Sequence, residues 1–308
     1  MTPANDARPY DVLGFGAIAL DDLLYLERFP DADTKVPIMD SVRQGGGLTA
    51  TALVAVARLG GRAAYAGVLG DDSFSREAIE GLESEGVDCS HVLRQEGAGP
   101  VRAIVLIDKT TGYRTILYDA RHLTTRDPET LSDDLLAQAR VLFLDQRIAS
   151  SGAVMAARAH ALGIPVVADV ERLTDPGVHE MMDLTDHLIV GQALAALLTG
   201  ETDPERAAEA LWRESRTAAV VTAGGRGSWY RTADAPVRHQ PIFPVTVVDT
   251  TGCGDVFHGA YALQLARGAS IPDCVRYAAA AAALKATCPG GRTGIPTHER
   301  VTELLNTR

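Results

Sequence analysis

Residues 244–268 read PVTVVDTTGCGDVFHGAYALQLARG, and their reading decides the fold. Val245, Thr246, Val247 and Val248 form a β-branched run after Pro244, which predicts a short buried strand. The segment Asp249 to Asp255 breaks that run with Gly252 and Gly254. From Asp255 onward the apolar positions Val256, Phe257, Ala260, Tyr261 and Leu263 follow a helical period, and Gly268 after Arg267 is placed to stop the helix. The stretch therefore describes a strand, a tight glycine loop, and a helix with a carboxylate in its first turn.

The first N–H groups of a helix lack intrahelical partners, and with the macrodipole they attract phosphate. Gly252 and Gly254 let the backbone come close to an anion, and Cys253 is small. A carboxylate at Asp255 repels that anion, but it is well placed to take the proton of a hydroxyl that attacks a phosphoryl group. An ordinary βα turn with an aspartate near its cap is the alternative.

Asp249-Thr250-Thr251-Gly252-Cys253-Gly254-Asp255 resembles the D-T-x-G-A-G-D signature of the ribokinase-like (PfkB) carbohydrate kinases, with Cys253 where alanine is usual. The resemblance implies an α/β ribokinase-like three-layer sandwich: a mainly parallel central sheet covered by helices, plus a small β lid. It further implies that Asp255 is the catalytic base, that the amides of Gly252, Cys253 and Gly254 form an anion hole, and that Asp249 and Thr251 lie near a monovalent-cation site. ATP, Mg2+ and K+ are the cofactors it brings with it.

The 308 residues are ample for a substantial core, and 46% hydrophobic with 22% charged residues is ordinary for a globular chain. A net charge of −11 argues against nucleic acid as a partner and requires local basic residues for an anionic substrate. Residues 1–10 lack the apolar core of a signal peptide, and no run approaches membrane-spanning length. The four cysteines show no CxxC spacing, so a reducing cytoplasm is expected.

Near the N-terminus, Gly14-x-Gly16-x-x-Ala19 fits a loose dinucleotide fingerprint and is the main rival signal. In the family, an aspartate that grips sugar hydroxyls precedes a similar F-P, and Asp21 before Phe29-Pro30 matches it. Gly45, Gly46 and Gly47 open a helix of small residues over 48–60 and correspond to the family's substrate-contacting glycines, with Ala50 where asparagine is common. Residues 63–69 are expected to form one strand, and Val101–Asp108 with Tyr113–Asp119 a hairpin turning at Lys109-Thr110-Thr111-Gly112. One domain over 1–308 is expected, with the lid at about 31–45 and 98–122, its sheet edge covered by a second subunit in a homodimer.

Beyond Pro128 a predicted helix over 129–140 begins a regular βα rhythm, the pattern of a parallel sheet covered on both faces. Asp145, Gln146, Arg147, Asp169, Thr222 and Asp249 then fall past strand ends, where α/β folds place ligands; Asp169 and Glu171 are expected in a solvated loop. Thr222-Ala223-Gly224-Gly225-Arg226-Gly227 resembles the family's T-x-G-x-x-G nucleotide loop, which makes Thr222, Gly224 and Gly227 ATP contacts and turns Arg226 to phosphate or solvent. The family's N-x-x-E, which organises water around magnesium, is missing: Gly191-Gln192-Ala193-Leu194 stands there.

Within the family, Gly112-Tyr113-Arg114-Thr115-Ile116-Leu117-Tyr118-Asp119 looks like ketohexokinase, whereas the Gly45–Ala52, Val248–Gly259 and Pro289–Pro296 motifs look more like bacterial sulfofructose kinase. Lys35 and Arg147 match that enzyme's sulfonate-binding positions, with Tyr118 replacing a lid asparagine. The expected function is an ATP-dependent kinase of a ketose or furanose sugar, with an anionic group on the sugar as one possibility. The alternatives are a nucleoside kinase of the same family, a nicotinamide-dependent oxidoreductase, and a catalytically silent sugar or nucleotide sensor.

Overall fold

The computed structural model describes residues 8–111 and 113–307; Gly112 of the expected hairpin turn lies outside them, as do residues 1–7 of the stretch inspected for a signal peptide. The chain runs through β1 (Tyr10–Phe15), β2 (Ala19–Leu26), β3 (Asp40–Gly46), α1 (Leu48–Arg58), β4 (Ala63–Tyr65), β5 (Val68–Leu69), α2 (Ser73–Ser84), β6 (Leu93–Arg94), β7 (Val101–Asp108) and β8 (Arg114–Asp119). It continues through α3 (Asp133–Leu136), β9 (Ala139–Asp145), α4 (Ala149–Ala161), β10 (Val166–Val170), α5 (Val178–Asp183), β11 (His187–Gly191), α6 (Gln192–Thr199) and α7 (Pro204–Leu211). The last elements are β12 (Ala218–Thr222), β13 (Ser228–Thr232), β14 (Ala235–Gln240), α8 (Cys253–Ala266), α9 (Ile271–Lys285) and α10 (His298–Asn306).

An eight-stranded sheet in the order β14-β13-β12-β11-β10-β9-β1-β4 forms the centre, parallel from β4 to β12 and closed by the antiparallel pairs of β12, β13 and β14. Its strands are apolar on both faces because both are covered. Val12, Val141, Phe143, Val167, Ile189 and Val220 pack beneath α1, α8 and α9, while Leu13, Leu142, Leu144, Val166, Leu188 and Val190 pack against α4 to α7. This is the expected ribokinase-like α/β architecture.

A second sheet, β3-β2-β7-β8, stands apart from the first. β2 runs parallel to β7, with β3 and β8 antiparallel on the flanks, and the Val101–Asp108/Arg114–Asp119 hairpin forms as the alternation predicts. β2 belongs to this sheet although the expected lid ranges leave it out. Gly14 and Gly16 lead into this strand and not into a helix, which removes the dinucleotide-binding geometry and with it the basis of the oxidoreductase alternative.

Three local expectations need correction. Residues 245–248 are not a buried strand: Val247 and Val248 are 59% and 60% exposed, and Pro241 and Pro244 lack the N–H groups to extend the ladder of β14. Residues 129–140 are a 3-10 turn and the single-turn α3, because the Ser132 hydroxyl caps a new start at Leu135 N (3.2 Å) and β9 begins at Ala139. Residues 63–69 split into β4 in the central sheet and β5 in a small pair with β6.

The helices α1 and α8 lie unusually close. A Cβ on Gly259 would sit 2.2 Å from the Ala52 carbonyl oxygen, so the small residues of both helices set the depth of the packing. Gly259→Ala is expected to cost about 1–3 kcal/mol of stability, read as a lowered midpoint in urea unfolding; an unchanged midpoint would show that the pair can separate without loss.

Candidate active site

Gly252 adopts a left-handed φ of 75° as the N-cap of α8, and a Cβ there would lie 2.5 Å from the Gly291 carbonyl oxygen. Both facts demand glycine. The helix thus starts at Cys253, two residues before the predicted start. Among the described residues the amides of Gly252, Gly254 and Asp255 have no protein acceptor, whereas Cys253 N donates to the Thr250 carbonyl at 3.2 Å. Cys253 is therefore withdrawn from the expected set of free amides, because its N–H closes the turn, and Asp255 N joins it. Burial pushes the Cys253 thiol up to about 11, so it stays protonated at neutral pH.

Asp255 is half-buried and accepts no hydrogen bond among the described residues. Burial and then the carboxylates of Asp169 and Glu171 hold its pKa well above the usual range, while the Arg292 guanidinium pulls it back. Asp169 corrects the solvated-loop expectation. It is 2% exposed inside β10, its Oδ2 has no hydrogen-bond partner, and His258 Nδ1 stands 3.4 Å away. The strand end points it into the protein because β10 is covered on both faces; Glu171, two residues on, is exposed.

Asp21 and the three glycines meet on the facing side. A Cβ on Gly46 would lie 2.2 Å from Asp21 Oδ2, one on Gly45 2.0 Å from Arg292 Nη1, and one on Gly47 (φ 93°) 2.5 Å from the Ala17 carbonyl oxygen. Each glycine thus leaves room for a different neighbour. Arg292, buried, donates to the Gly46 carbonyl (2.7 Å) and to Thr51 Oγ1 (3.2 Å). Burial draws its pKa down to about 10, with Asp21 and Asp255 opposing, so it remains a cation between the two carboxylates. Burial raises Asp21 to about 6, with Arg292 holding it lower than burial alone would. Asp145 underlies the site: its Oδ2 takes Ala17 N (2.6 Å) and Thr49 Oγ1 (2.8 Å), and its Oδ1 takes Arg147 N (2.9 Å).

A cleft of about 350 Å³ runs from Thr222, Gly224 and Gly227 to Gly254, with an apolar wall of Phe243, Val245, Phe257 and Ala283. A flat apolar ring fits the wall, and phosphates fit the Gly254 end. Arg226 does not line it. Exposed, it donates to Gln192 Oε1 and lies over the Trp229 ring at 5.9 Å. Asp249 Oδ1 accepts from Thr251 N (2.8 Å) and Oγ1 (2.7 Å), and Oδ2 from Gly290 N (2.8 Å). The Arg147 guanidinium lies 5.3 Å from the Tyr118 ring centre and, with Arg172, lowers the pKa of that phenol. Lys35 sits on the exposed stretch before β3, with no contact among the described residues that ties it to the others.

Residues to which sequence reasoning gave no place in the site are Arg292, His258 and Lys285, while Asp145 and Asp169 were placed only at ligand-bearing strand ends, without a role. Arg292 had a signal, a lone guanidinium after Gly290-Gly291 in an irregular loop. His258 and Lys285 are buried polar groups in helical runs that look like core.

Because folding raises the pKa of Asp21, its contribution to stability is full below the ordinary 3.8 and is lost as pH rises through about 6. Asp21→Asn is therefore expected to stabilise the fold at pH 7–8 by up to about 3 kcal/mol, the gain vanishing below about pH 4; urea unfolding across that range checks it, and no gain at pH 7 would mean that Asp21 titrates normally.

Residues 12–298 match the family described as pfkB family carbohydrate kinase. Fructokinase-1 of Zea mays is 29% identical, over 84% of this chain and 88% of its own length. A crystal structure from Agrobacterium tumefaciens superposes with a TM-score of 0.89 at 30% identity, covering 97% of this chain and 98% of that one. The Arabidopsis thaliana ribokinase, solved in complex with ribose and ATP, superposes at 0.85 with 25% identity, over 96% and 98% of the two chains. With an acid beside free helix-end amides, an apolar cleft that ends at them and a match across nearly its whole length, this chain belongs to the pfkB family of carbohydrate kinases.

Proposed function

We propose that the protein transfers the γ-phosphoryl group of ATP to a hydroxyl of a ketose or furanose sugar. The observation that carries this is Asp255: a carboxylate with raised proton affinity in the first turn of α8, one residue from free amides and joined through Arg292 to Asp21. Asp21 holds sugar hydroxyls, which donate to its carboxylate, and the Gly45–Gly47 backbone lies against the sugar. Asp255 takes the proton of the attacking hydroxyl, whose oxygen bonds to the γ-phosphorus as the bond to the ADP oxygen breaks. The amides of Gly252, Gly254 and Asp255 receive the developing charge. ATP lies along the cleft from the Thr222–Gly227 loop to Gly254.

Mg2+ bound to the ATP phosphates supplies further neutralisation of charge. Gly191 and Leu194 offer it no side-chain oxygen. The unpartnered Asp169 Oδ2 and exposed Glu171 give two carboxylates near Asp255, a set suited to meeting the hydrated ion through water. The monovalent cation expected beside Asp249 and Thr251 is a separate question, because an ammonium already stands at the Asp249 carbonyl. Arg147 over Tyr118, with Arg172 beside it, favours a sugar bearing an anionic group such as sulfofructose.

The β3-β2-β7-β8 sheet acts as a lid over the sugar, since Asp21, Tyr118 and Arg114 alternate onto one face and Arg114 reaches within 3.8 Å of Asp249 Oδ1. On the face turned away from Asp21 it exposes Ile104 and Leu117, apolar side chains paired across β7 and β8, and a second copy of the lid would cover them in a homodimer. The free cysteines suit a reducing cytoplasm.

Sedimentation is expected to give twice the chain mass at micromolar concentration, with Leu117→Asp shifting it to monomer; a wild-type monomer would rule out the lid interface. ADP release with magnesium-ATP and a panel of ketoses, pentoses, nucleosides, sugar phosphates and sulfofructose tests the activity, and a preference for anionic sugars tests Arg147. Asp255→Asn is expected to slow the best reaction by about 10²–10⁴-fold with an unchanged circular dichroism spectrum. Near-normal turnover would remove Asp255 as the base.

A further inference from the structure

Lys285 ends α9 and is fully buried, at 0% exposure. Such an ammonium is tolerated only where something answers its charge. It donates to the Asp249 carbonyl at 3.0 Å, and the groups around it are the Asp249 carboxylate and the thiols of Cys253 and Cys288, with the Arg114 guanidinium beyond. Burial pulls its pKa down, and the two thiols and the carboxylate pull it up. The reaction scheme above makes no use of this charge.

The oxygens around Asp249 do not fit a bound monovalent metal ion. Both carboxylate oxygens already receive protein donors, from Thr251 and from Gly290. The Asp249 carbonyl receives Lys285, and the Ala286 carbonyl receives Val248 N at 2.8 Å and Asp249 N at 3.2 Å. A metal ion entering this cluster would compete with those donors and meet the like charges of Lys285 and Arg114. The position of the ammonium explains what it does there. Lys285 lies close enough to Cys253 to lower the pKa of that thiol, so its charge adds to the positive end of α8, and its bond fixes the start of the Asp249–Asp255 turn.

We propose that Lys285 is the resident cation of this site, a side chain standing where an external monovalent ion would otherwise be needed, so that nucleotide phosphates bind at α8 without K+. The proposal rests on the kinase function above, through the binding of those phosphates.

The test uses the whole protein and two readouts, ADP affinity by calorimetry and sugar-dependent ADP release. Each is measured in potassium chloride and in tetramethylammonium chloride of equal ionic strength. Both are expected to agree within about twofold between the salts, and Lys285→Met is expected to weaken ADP binding by about tenfold. Stimulation of the wild-type protein by K+ of about tenfold or more, in either readout, overturns the proposal. So does a folded Lys285→Met protein that binds ADP as the wild type does. The salt comparison needs no variant, so it decides the matter even if Lys285→Met fails to fold. A protein that binds ADP but turns over no sugar sinks the kinase function alone, because ADP affinity in the two salts still reports on Lys285; no ADP binding in either salt sinks both.

Discussion

The buried guanidinium of Arg292 is the contact on which the site depends. It comes from the irregular loop after α9, yet its partners are the Gly46 carbonyl at the end of β3 and the Thr51 hydroxyl in α1. A charge placed there without those oxygens and the Asp21 and Asp255 carboxylates would cost several kcal/mol. The loop, the second sheet and α1 therefore have one low-energy arrangement. Arg58 supports the same geometry, pairing bidentately with Glu85 (2.7 and 2.6 Å) while donating to the Arg292 carbonyl at 2.9 Å. The guanidinium also ties the two acids together: Arg292 opposes the effect of burial on both, while the neighbouring carboxylates push the other way, Asp169 and Glu171 at Asp255 and Asp22 at Asp21.

Much of this was legible in the sequence, for identifiable reasons. The signature around Asp255 is compact, and backbone geometry requires its first glycine, so motif and structure coincide at Gly252, whereas a Cβ on Gly254 would meet nothing. The triple glycine was legible as a candidate substrate segment, but the cause of each glycine was not, since Asp21, Arg292 and Ala17 come from other parts of the chain. Apolar runs revealed the parallel strands. They misled at Val245–Val248, where β-branched residues form the wall of a cleft, a role that propensity does not distinguish from a sheet interior.

Buried polar residues were the harder class. Asp169 looked like a loop acid because it follows a strand of valines and an alanine; only the covering helices make it interior. Lys285 closes an alanine-rich helix and resembles an ordinary C-terminal basic residue answering the macrodipole. His258 sits among small apolar residues, yet both its nitrogens face carbonyl oxygens, Gly254 at 2.8 Å and Ile189 at 3.1 Å. In each case the partner is distant in sequence and fixed only by packing.

The connections between the two sheets have a mechanical implication. The chain passes from β1 to β2 through Gly16–Ile18 and from β3 to α1 through Gly47, and Asp145 pins the first crossing to α1 through Ala17 and Thr49. Asp21 and Gly46 stand next to these crossings. A rotation of the small sheet against the large one would therefore turn about an axis that passes beside the residues proposed to hold the sugar. The pivot and the proposed grip share one short stretch of backbone, so on that proposal the motion of the sheet and the occupancy of the pocket are parts of a single lever.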